Sequence, residues 1–205
     1  MTEGGYAYLS WKKESAVKAR KCRELVHRWF AEGRFDEMLP EIAALRGVRQ
    51  PEEFHAEGDA FVHTMLAMEA VDDDEDPRVF WAALLHDIGK AEKTFFDGTR
   101  WRAVGHAEAG AEQVPAIMTR LGFADLAADV SWLVRHHLFH FSWNLDHDFR
   151  LTRNQRRLME HPLFPLLLRV CQIDADASYG RSSKGDKIGM IAEVYAEEYG
   201  DNHEL

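Results

Sequence analysis

The sequence has few of the residues that mark secreted or membrane proteins. Only two of its 205 residues are cysteine, Cys22 and Cys171, which excludes a framework of disulfides. No apolar run is long enough to cross a bilayer, and the N-terminal residues carry charges throughout, which argues against a signal peptide. We therefore expect a cytoplasmic protein that does not enter a membrane.

Basic residues are scarce relative to acidic ones. The chain has 25 Lys and Arg against 35 Asp and Glu, a net charge of −10 at pH 7. This balance argues against a broad electrostatic surface for nucleic acid or anionic lipid. A phosphate-bearing substrate must then be held locally, and a bound divalent cation is the usual means for an acidic protein. Eleven histidines offer ligands for such a cation.

Period-two alternation of apolar residues is also missing, so the sequence predicts no sheet. Apolar residues instead recur at helical intervals. The predicted helices cover about 11–30, 35–45, 59–71, 78–86, 106–121, 123–138, 153–160, 162–178 and 187–199. With no internal repeat and no dividing linker, the pattern predicts an all-α, single-domain helical bundle.

Histidines and aspartates stand beside apolar runs in several of these helices. The set comprises His63, His86, Asp87, His106, the pair His136 and His137, and Asp174. Asp174 lies inside an apolar stretch, where an isolated carboxylate is strongly disfavoured without a partner or a cation.

The adjacent pair His86 and Asp87 is the most specific feature. Two neighbouring ligands cannot share a helix face unless the helix ends there, and Gly89 supplies the predicted ending. Histidine and carboxylate donors favour ions such as Mn, Fe, Co, Ni or Zn over a calcium cage. In a histidine and carboxylate site that leaves coordination positions open, the ion can bind water and substrate. Structural zinc sites, in contrast, are usually closed by four protein ligands.

The order His63, then His86-Asp87, then Asp174 resembles the H…HD…D signature of the HD-domain superfamily of metal-dependent phosphohydrolases. Six segments are similar to the HD region of bacterial tRNA nucleotidyltransferases and poly(A) polymerases: 39–48, 54–64, 83–90, 105–106, 133–137 and 174–180. We therefore expect an N-terminal helical extension over 1–36, an HD domain over 37–182, and a C-terminal helix and tail over 183–205. Since the polymerase portion of those enzymes has no counterpart in this chain, we expect a stand-alone HD domain that does not add nucleotides.

The resemblance implies a set of metal ligands. His63, His86, Asp87 and Asp174 would hold a first divalent ion. His106 and His137 would hold a second ion bridged by Asp87, with His137 preferred to His136 because its spacing from Val134 fits the family pattern. The expected cofactor is thus one or two ions of Mn, Fe, Co, Ni, Zn or Mg, which activate a water molecule.

Four basic residues are candidates for contact with substrate. Asp87 and Lys90 are the predicted catalytic residues, since a lysine one turn past the metal pair can neutralise a phosphate oxygen. Arg135, Arg181 and Lys184 either bind substrate as well or only solubilise the surface.

Other polar residues near these ligands are predicted to be structural. His55, Glu57 and Asp59 precede the helix of His63, where capping and packing are expected. His140 and His147 are predicted at the rim or on the surface.

The resemblance implies a phosphohydrolase, a phosphomonoesterase or phosphodiesterase, that acts on a nucleotide or an RNA end such as a 2′,3′-cyclic phosphate. One alternative is a hydrolase of (deoxy)nucleoside triphosphates or alarmones. The other is a non-catalytic helical module that binds RNA or acts as a scaffold.

Overall fold

The computed structural model describes residues 18–144, 150–180 and 183–199, which are predominantly helical. The α-helices are α1 (Ala19–Ala31), α2 (Phe35–Met38), α3 (Pro40–Ala43), α4 (Ala60–Glu69), α5 (Pro77–Leu85), α6 (Lys90–Lys93), α7 (His106–Arg120), α8 (Ala127–His136), α9 (Arg153–Met159), α10 (Phe164–Asp176) and α11 (Lys184–Tyr199). Short 3₁₀ helices cover Ala124–Leu126 and Phe139–Ser142. The predicted all-α class is confirmed.

Helices α4 and α5 begin at aspartate caps. Asp59 accepts a hydrogen bond from the Val62 amide (3.0 Å) and another from the Gly47 amide (2.6 Å). Asp76 accepts one from the Arg78 amide (2.8 Å), and Pro77 follows at the first helical position. An N–H group at that position would have no partner within the helix, so proline costs no hydrogen bond there. These caps account for the predicted starts of both helices.

Helix α5 is the centre of the bundle. Every residue from Val79 to Leu85 is at most 1% exposed, as the density of apolar residues predicts. Helices α1, α4, α8 and α10 all pack against α5. The residues that follow Leu85 are therefore delivered to the middle of the molecule.

The terminal helices of the described chain join the same core. Val26 of α1 and Ile191 of α11 are fully buried within it. No helix in the described ranges has the length and apolarity needed to cross a membrane.

The predicted helix over 35–45 is divided in two. Leu39 adopts φ −132° and ψ 58°, which ends α2, and Pro40 then opens α3. A residue before proline is driven out of the helical region by the proline ring, so the break lies at this position.

A small antiparallel hairpin corrects the prediction that the chain forms no sheet. Strands β1 (Phe95–Phe96) and β2 (Trp101–Arg102) pair Phe95 with Arg102 and Phe96 with Trp101. Each strand has two residues, too few for alternation to show in the sequence. Asp97 accepts hydrogen bonds from two backbone amides of the turn, which fixes the hairpin.

Gly89 follows α5 as predicted, but its role is different. Its φ is −65°, an ordinary helical value, so no left-handed turn requires glycine there. A Cβ at this position would overlap the backbone oxygen of His106 and lie 2.7 Å from the Gly110 nitrogen. The absence of a side chain lets α7 approach the turn after α5 closely.

Candidate metal centre

Six predicted ligands converge at the end of α5. His63 lies on α4, His86 and Asp87 follow α5, His106 begins α7, His137 follows α8 and Asp174 lies on α10. All six are buried, and the most exposed of them, His106, is 7% exposed. Five separate parts of the chain thus bring their donors to one enclosed place.

The four histidines are oriented alike by bonds to the ring nitrogen that faces away from the centre. Nδ1 of His63 donates to Glu57 Oε1 (2.9 Å), and Nδ1 of His86 donates to the Ala83 carbonyl (2.8 Å). Nδ1 of His106 donates to the Ala103 carbonyl (2.6 Å), and Nδ1 of His137 donates to the Val134 carbonyl (2.7 Å). These oxygens accept and cannot donate, so each Nδ1 carries a proton. Each Nε2 is left directed toward the centre, the usual arrangement of metal-binding histidine.

Asp87 stands between two groups of donors and faces each with a different oxygen. Its Oδ2 lies 3.1 Å from Nε2 of His86 and 3.8 Å from Nε2 of His63. Its Oδ1 lies 3.2 Å from Nε2 of His106 and 3.9 Å from Nε2 of His137. The atoms around Asp87 form two sets, and within each set they are close enough to share an ion. One set is His63, His86 and Asp174; the other is Asp87, His106 and His137.

The donor set fits divalent cations. The Nε2 atoms of His63 and His86 are 3.3 Å apart, so two lone pairs oppose each other unless a proton or a cation lies near both. Nε2 of His106 is buried and makes no hydrogen bond with the residues that the structure describes. Imidazole and carboxylate donors without thiolate suit Mn, Fe, Co, Ni or Zn.

Charges around the site keep the carboxylates ionised. Burial opposes ionisation of Asp87, but the neighbouring His86 and Lys90 outweigh it and hold the pKa of that carboxyl well below its usual range. Burial likewise opposes protonation of His63, yet bonds to Asp174 and Glu57 raise its pKa to about 9. A cation bound at His63 must therefore displace a proton.

Glu57 orients His63, one of the candidate ligands, a role that the sequence analysis missed. Its Oε1 accepts from Nδ1 of His63 (2.9 Å) and Nδ1 of His55 (2.7 Å), and its Oε2 accepts from the Tyr179 amide (3.0 Å). Its side chain is fully buried. Of the loop residues expected to be structural, Asp59 caps α4, whereas Glu57 holds the ring of His63 in place.

Lys90 lies directly beside the carboxylate of Asp87. Its Nζ donates to Asp87 Oδ2 (2.6 Å) and to Gln50 Oε1 (2.6 Å). Gln50 is buried and was not singled out from the sequence, where it lies in a polar loop far from Lys90. The two contacts fix the ammonium group at the edge of the metal centre.

The other predicted contacts fall in different places. Lys184 Nζ lies 3.3 Å from both carboxylate oxygens of Asp174. Arg135 is exposed and does not line the cleft that contains the metal centre. His136 is turned away, with Nδ1 bonded to the Trp132 carbonyl (2.8 Å), so the structure brings His137 and not His136 to the site. Arg181 lies outside the described residues.

His140 is buried among the residues that line the cleft, which corrects the prediction that it lies at the rim or on the surface. Its ring is inaccessible to solvent, and neither nitrogen has a hydrogen-bond partner in the described chain. Burial and the nearby Lys184 and Lys187 lower its pKa to about 4, so the ring is neutral. His147 lies outside the described residues.

The candidate metal centre lies in an open cleft of about 860 Å³, within the usual size range of small-molecule sites. Its basic lining residues are Arg49, Lys90, Arg100, Arg102, Lys184 and Lys187. Apart from Asp87 and Asp174, the acidic residue among the described lining is Glu108. An acidic protein thus has a cleft suited to phosphate.

Comparisons with known proteins match the HD domain family over residues 55–178. The Multifunctional CCA protein of Legionella pneumophila (strain Paris) is 34% identical over 153 residues, covering 68% of this chain and 35% of that protein. The Multifunctional CCA protein of Alkalilimnicola ehrlichii is 38% identical over 109 residues, covering 52% and 26%. The matched part of the chain thus spans only about a third of the first relative and about a quarter of the second.

Proposed function

Because this chain belongs to the HD domain family, we propose that it is a metal-dependent phosphohydrolase. Its substrate is a phosphomonoester or phosphodiester of a nucleotide or an RNA end. The six converging ligands and the basic cleft around them support this proposal over a role as a passive helical scaffold.

The observation that carries the proposal is the position of Asp87. Each of its oxygens faces a different pair of histidine nitrogens at 3.1 to 3.9 Å. A purely structural aspartate would be satisfied by its contact with Lys90. Two ligand groups that share one carboxylate are suited to two ions, with Asp174 completing one group and His137 the other.

Divalent ions in these two groups would supply the Lewis acidity that activates water for attack on phosphorus. The chain's own residues do the rest. Asp87 holds the two ligand groups together, and Glu57 fixes the ring of His63. Lys90, held by Gln50 at the edge of the site, is placed to neutralise a phosphate oxygen as negative charge develops.

Lys184 provides a second cation next to the site. It contacts Asp174 at 3.3 Å and its side chain is 12% exposed, so it is reachable from the cleft. We propose that it binds the substrate phosphate or the leaving group, whereas the exposed Arg135, outside the cleft, only solubilises the surface.

The test combines metal analysis with a hydrolysis panel. The protein is loaded with Mn, Co, Ni or Mg and assayed on p-nitrophenyl phosphate, bis(p-nitrophenyl) phosphate, mononucleotides and 2′,3′-cyclic nucleotides. We expect two metal equivalents and hydrolysis. The variant His137→Ala should lose one equivalent and most activity, while the matched control His136→Ala keeps both.

Two outcomes contradict the proposal. Full turnover by a metal-free His86→Ala, Asp87→Ala double variant removes the metal centre from the reaction. Absence of both metal and activity instead favours the RNA-binding module. Product analysis separates the remaining alternative, since hydrolysis of a triphosphate to a nucleoside releases a polyphosphate and opening of a diester releases none.

A further inference from the structure

The side of the cleft next to Lys90 contains buried polar atoms without partners. Gln50 is 6% exposed and accepts from Lys90, but its Nε2 is buried and makes no hydrogen bond within the described residues. Thr94 follows α6, its amide donating to the Lys90 carbonyl (3.0 Å), and its Oγ1 is likewise buried and unbonded. Because such groups are costly to leave unpaired, both are suited to bind a ligand in the cleft that they line.

Two arginines in this part of the cleft are not neutralised. Arg49 precedes Gln50 and is exposed, and neither Arg49 nor Arg100 forms an ion pair with a carboxylate of the described chain. Arg102, in contrast, is paired with Asp97 of the hairpin turn. Unpaired guanidinium groups beside amide and hydroxyl donors are suited to phosphate oxygens.

Trp101 adds a flat aromatic surface to the same place. It lies on β2, where its ring packs against Phe96 at 5.3 Å between centroids, and it lines the cleft. The guanidinium of Arg49 lies 5.8 Å from the centre of the indole ring. An aromatic face next to arginine is the usual means of binding a base together with its phosphate, largely independent of sequence.

These residues are Arg49, Gln50, Thr94, Arg100 and Trp101, and we call them the hairpin patch. The Lys90 side chain connects the patch to the candidate metal centre, since it contacts both Gln50 and Asp87. We propose that the hairpin patch holds the nucleotide that precedes the terminal, phosphate-bearing nucleotide of the substrate. This inference rests on the proposed function and narrows its substrate to the end of a single-stranded polynucleotide rather than a free mononucleotide.

The test compares two substrates with the same reacting group. These are a 3′-phosphorylated trinucleotide and the matching 3′-mononucleotide, assayed with Mn on the full chain. We expect kcat/KM to be about tenfold or more higher for the trinucleotide. A preference of this size lies within the range that stacking of one base on an aromatic side chain contributes to binding. Trp101→Ala, Thr94→Val and Arg49→Ala should each reduce this ratio severalfold.

Two further variants serve as controls. Trp101→Phe retains an aromatic face and should keep most of the preference, which separates stacking from damage to the hairpin. Arg34→Ala removes an exposed arginine outside the cleft and should leave the ratio unchanged. Thr94→Val is the least disruptive test of the patch, because the hydroxyl that it removes has no partner within the described chain.

Equal kcat/KM on the two substrates in the wild type would overturn the inference. Patch variants that lower both values by the same factor would do so too. If the metal-loaded protein hydrolyses neither substrate nor p-nitrophenyl phosphate, the proposed function fails instead. The patch is then judged by fluorescence anisotropy of a labelled trinucleotide, whose binding must weaken at least about fivefold in Trp101→Ala if stacking holds the base.

Discussion

The variant Glu57→Gln measures how much the orientation of one histidine contributes to metal binding. The side chain of Glu57 is fully buried and receives three hydrogen bonds, from Nδ1 of His55 (2.7 Å), Nδ1 of His63 (2.9 Å) and the amide of Tyr179 (3.0 Å). All three partners are donors. Glutamine has the same shape, but its NH₂ group must face one of these donors, so at least one bond is lost and the negative charge disappears.

The expected magnitude follows from that loss. A hydrogen bond to a charged group contributes about 1.5–3 kcal/mol, which corresponds to roughly 10- to 150-fold in a binding constant. Loss of an outer carboxylate that supports a metal-binding histidine typically reduces metal affinity by about 10- to 100-fold, in agreement. The reduction has two sources: an imidazole made less basic by the loss of the negative charge and, where the NH₂ group faces Nδ1, a ring free to rotate away from the centre.

The assay is competition of the protein with a chromophoric chelator for Mn or Zn. Thermal unfolding of the metal-free variant is recorded alongside to detect a general loss of structure. Glu53→Gln is the matched control, since Glu53 is exposed on the same loop and its substitution should not change affinity. Wild-type affinity in Glu57→Gln, together with complete loss in His63→Ala, would show that His63 needs no outer carboxylate and would refute this reasoning.

Three further predictions concern stability and reactivity. Gly89→Ala places a methyl group against the backbone of His106 and should lower the free energy of unfolding by about 3 kcal/mol in a urea titration; a loss under about 1 kcal/mol would contradict it. Asp59→Ala removes the cap of α4 and should cost about 1 kcal/mol in the same titration, with no loss counting against the cap. Burial raises the pKa of Cys22 to about 12 and that of Cys171 well above its usual range, so a thiol reagent at pH 8 should find none in native protein and two after denaturation. Rapid labelling of native protein would contradict this burial.

The helical fold was predictable because its signal is local. The density of apolar residues from Val79 to Leu85 indicates a helix buried on most sides, and the structure places it at the centre of the bundle. A polar pair directly after such a helix must then lie inside the molecule, which is why His86 and Asp87 could be singled out. Pattern also distinguished His137 from His136, since the structure buries the former and turns the latter away.

The residues that support the ligands could not be predicted, because their roles depend on contacts distant in the sequence. Glu57 meets the amide of Tyr179, and Gln50 meets Lys90, yet in the sequence both resemble ordinary polar residues of a loop. Gly89 shows the same limit. Its position after a helix was recognised, but the reason for glycine is the backbone of α7, which no local pattern reveals.

The net charge of −10 and the basic cleft are compatible because much of the acidic surface is occupied elsewhere. In the acidic turn before α5, Asp72 pairs with Arg169 and Asp73 pairs with Arg23. The cleft, in contrast, retains Lys90 and Lys184 beside its two buried carboxylates, together with Arg49 and Arg100, which pair with no carboxylate of the described chain. A phosphate is thus attracted to this cleft, while the overall charge opposes the long polyanion contacts of a general nucleic-acid-binding protein. This arrangement favours a substrate recognised at its end over one bound along its length.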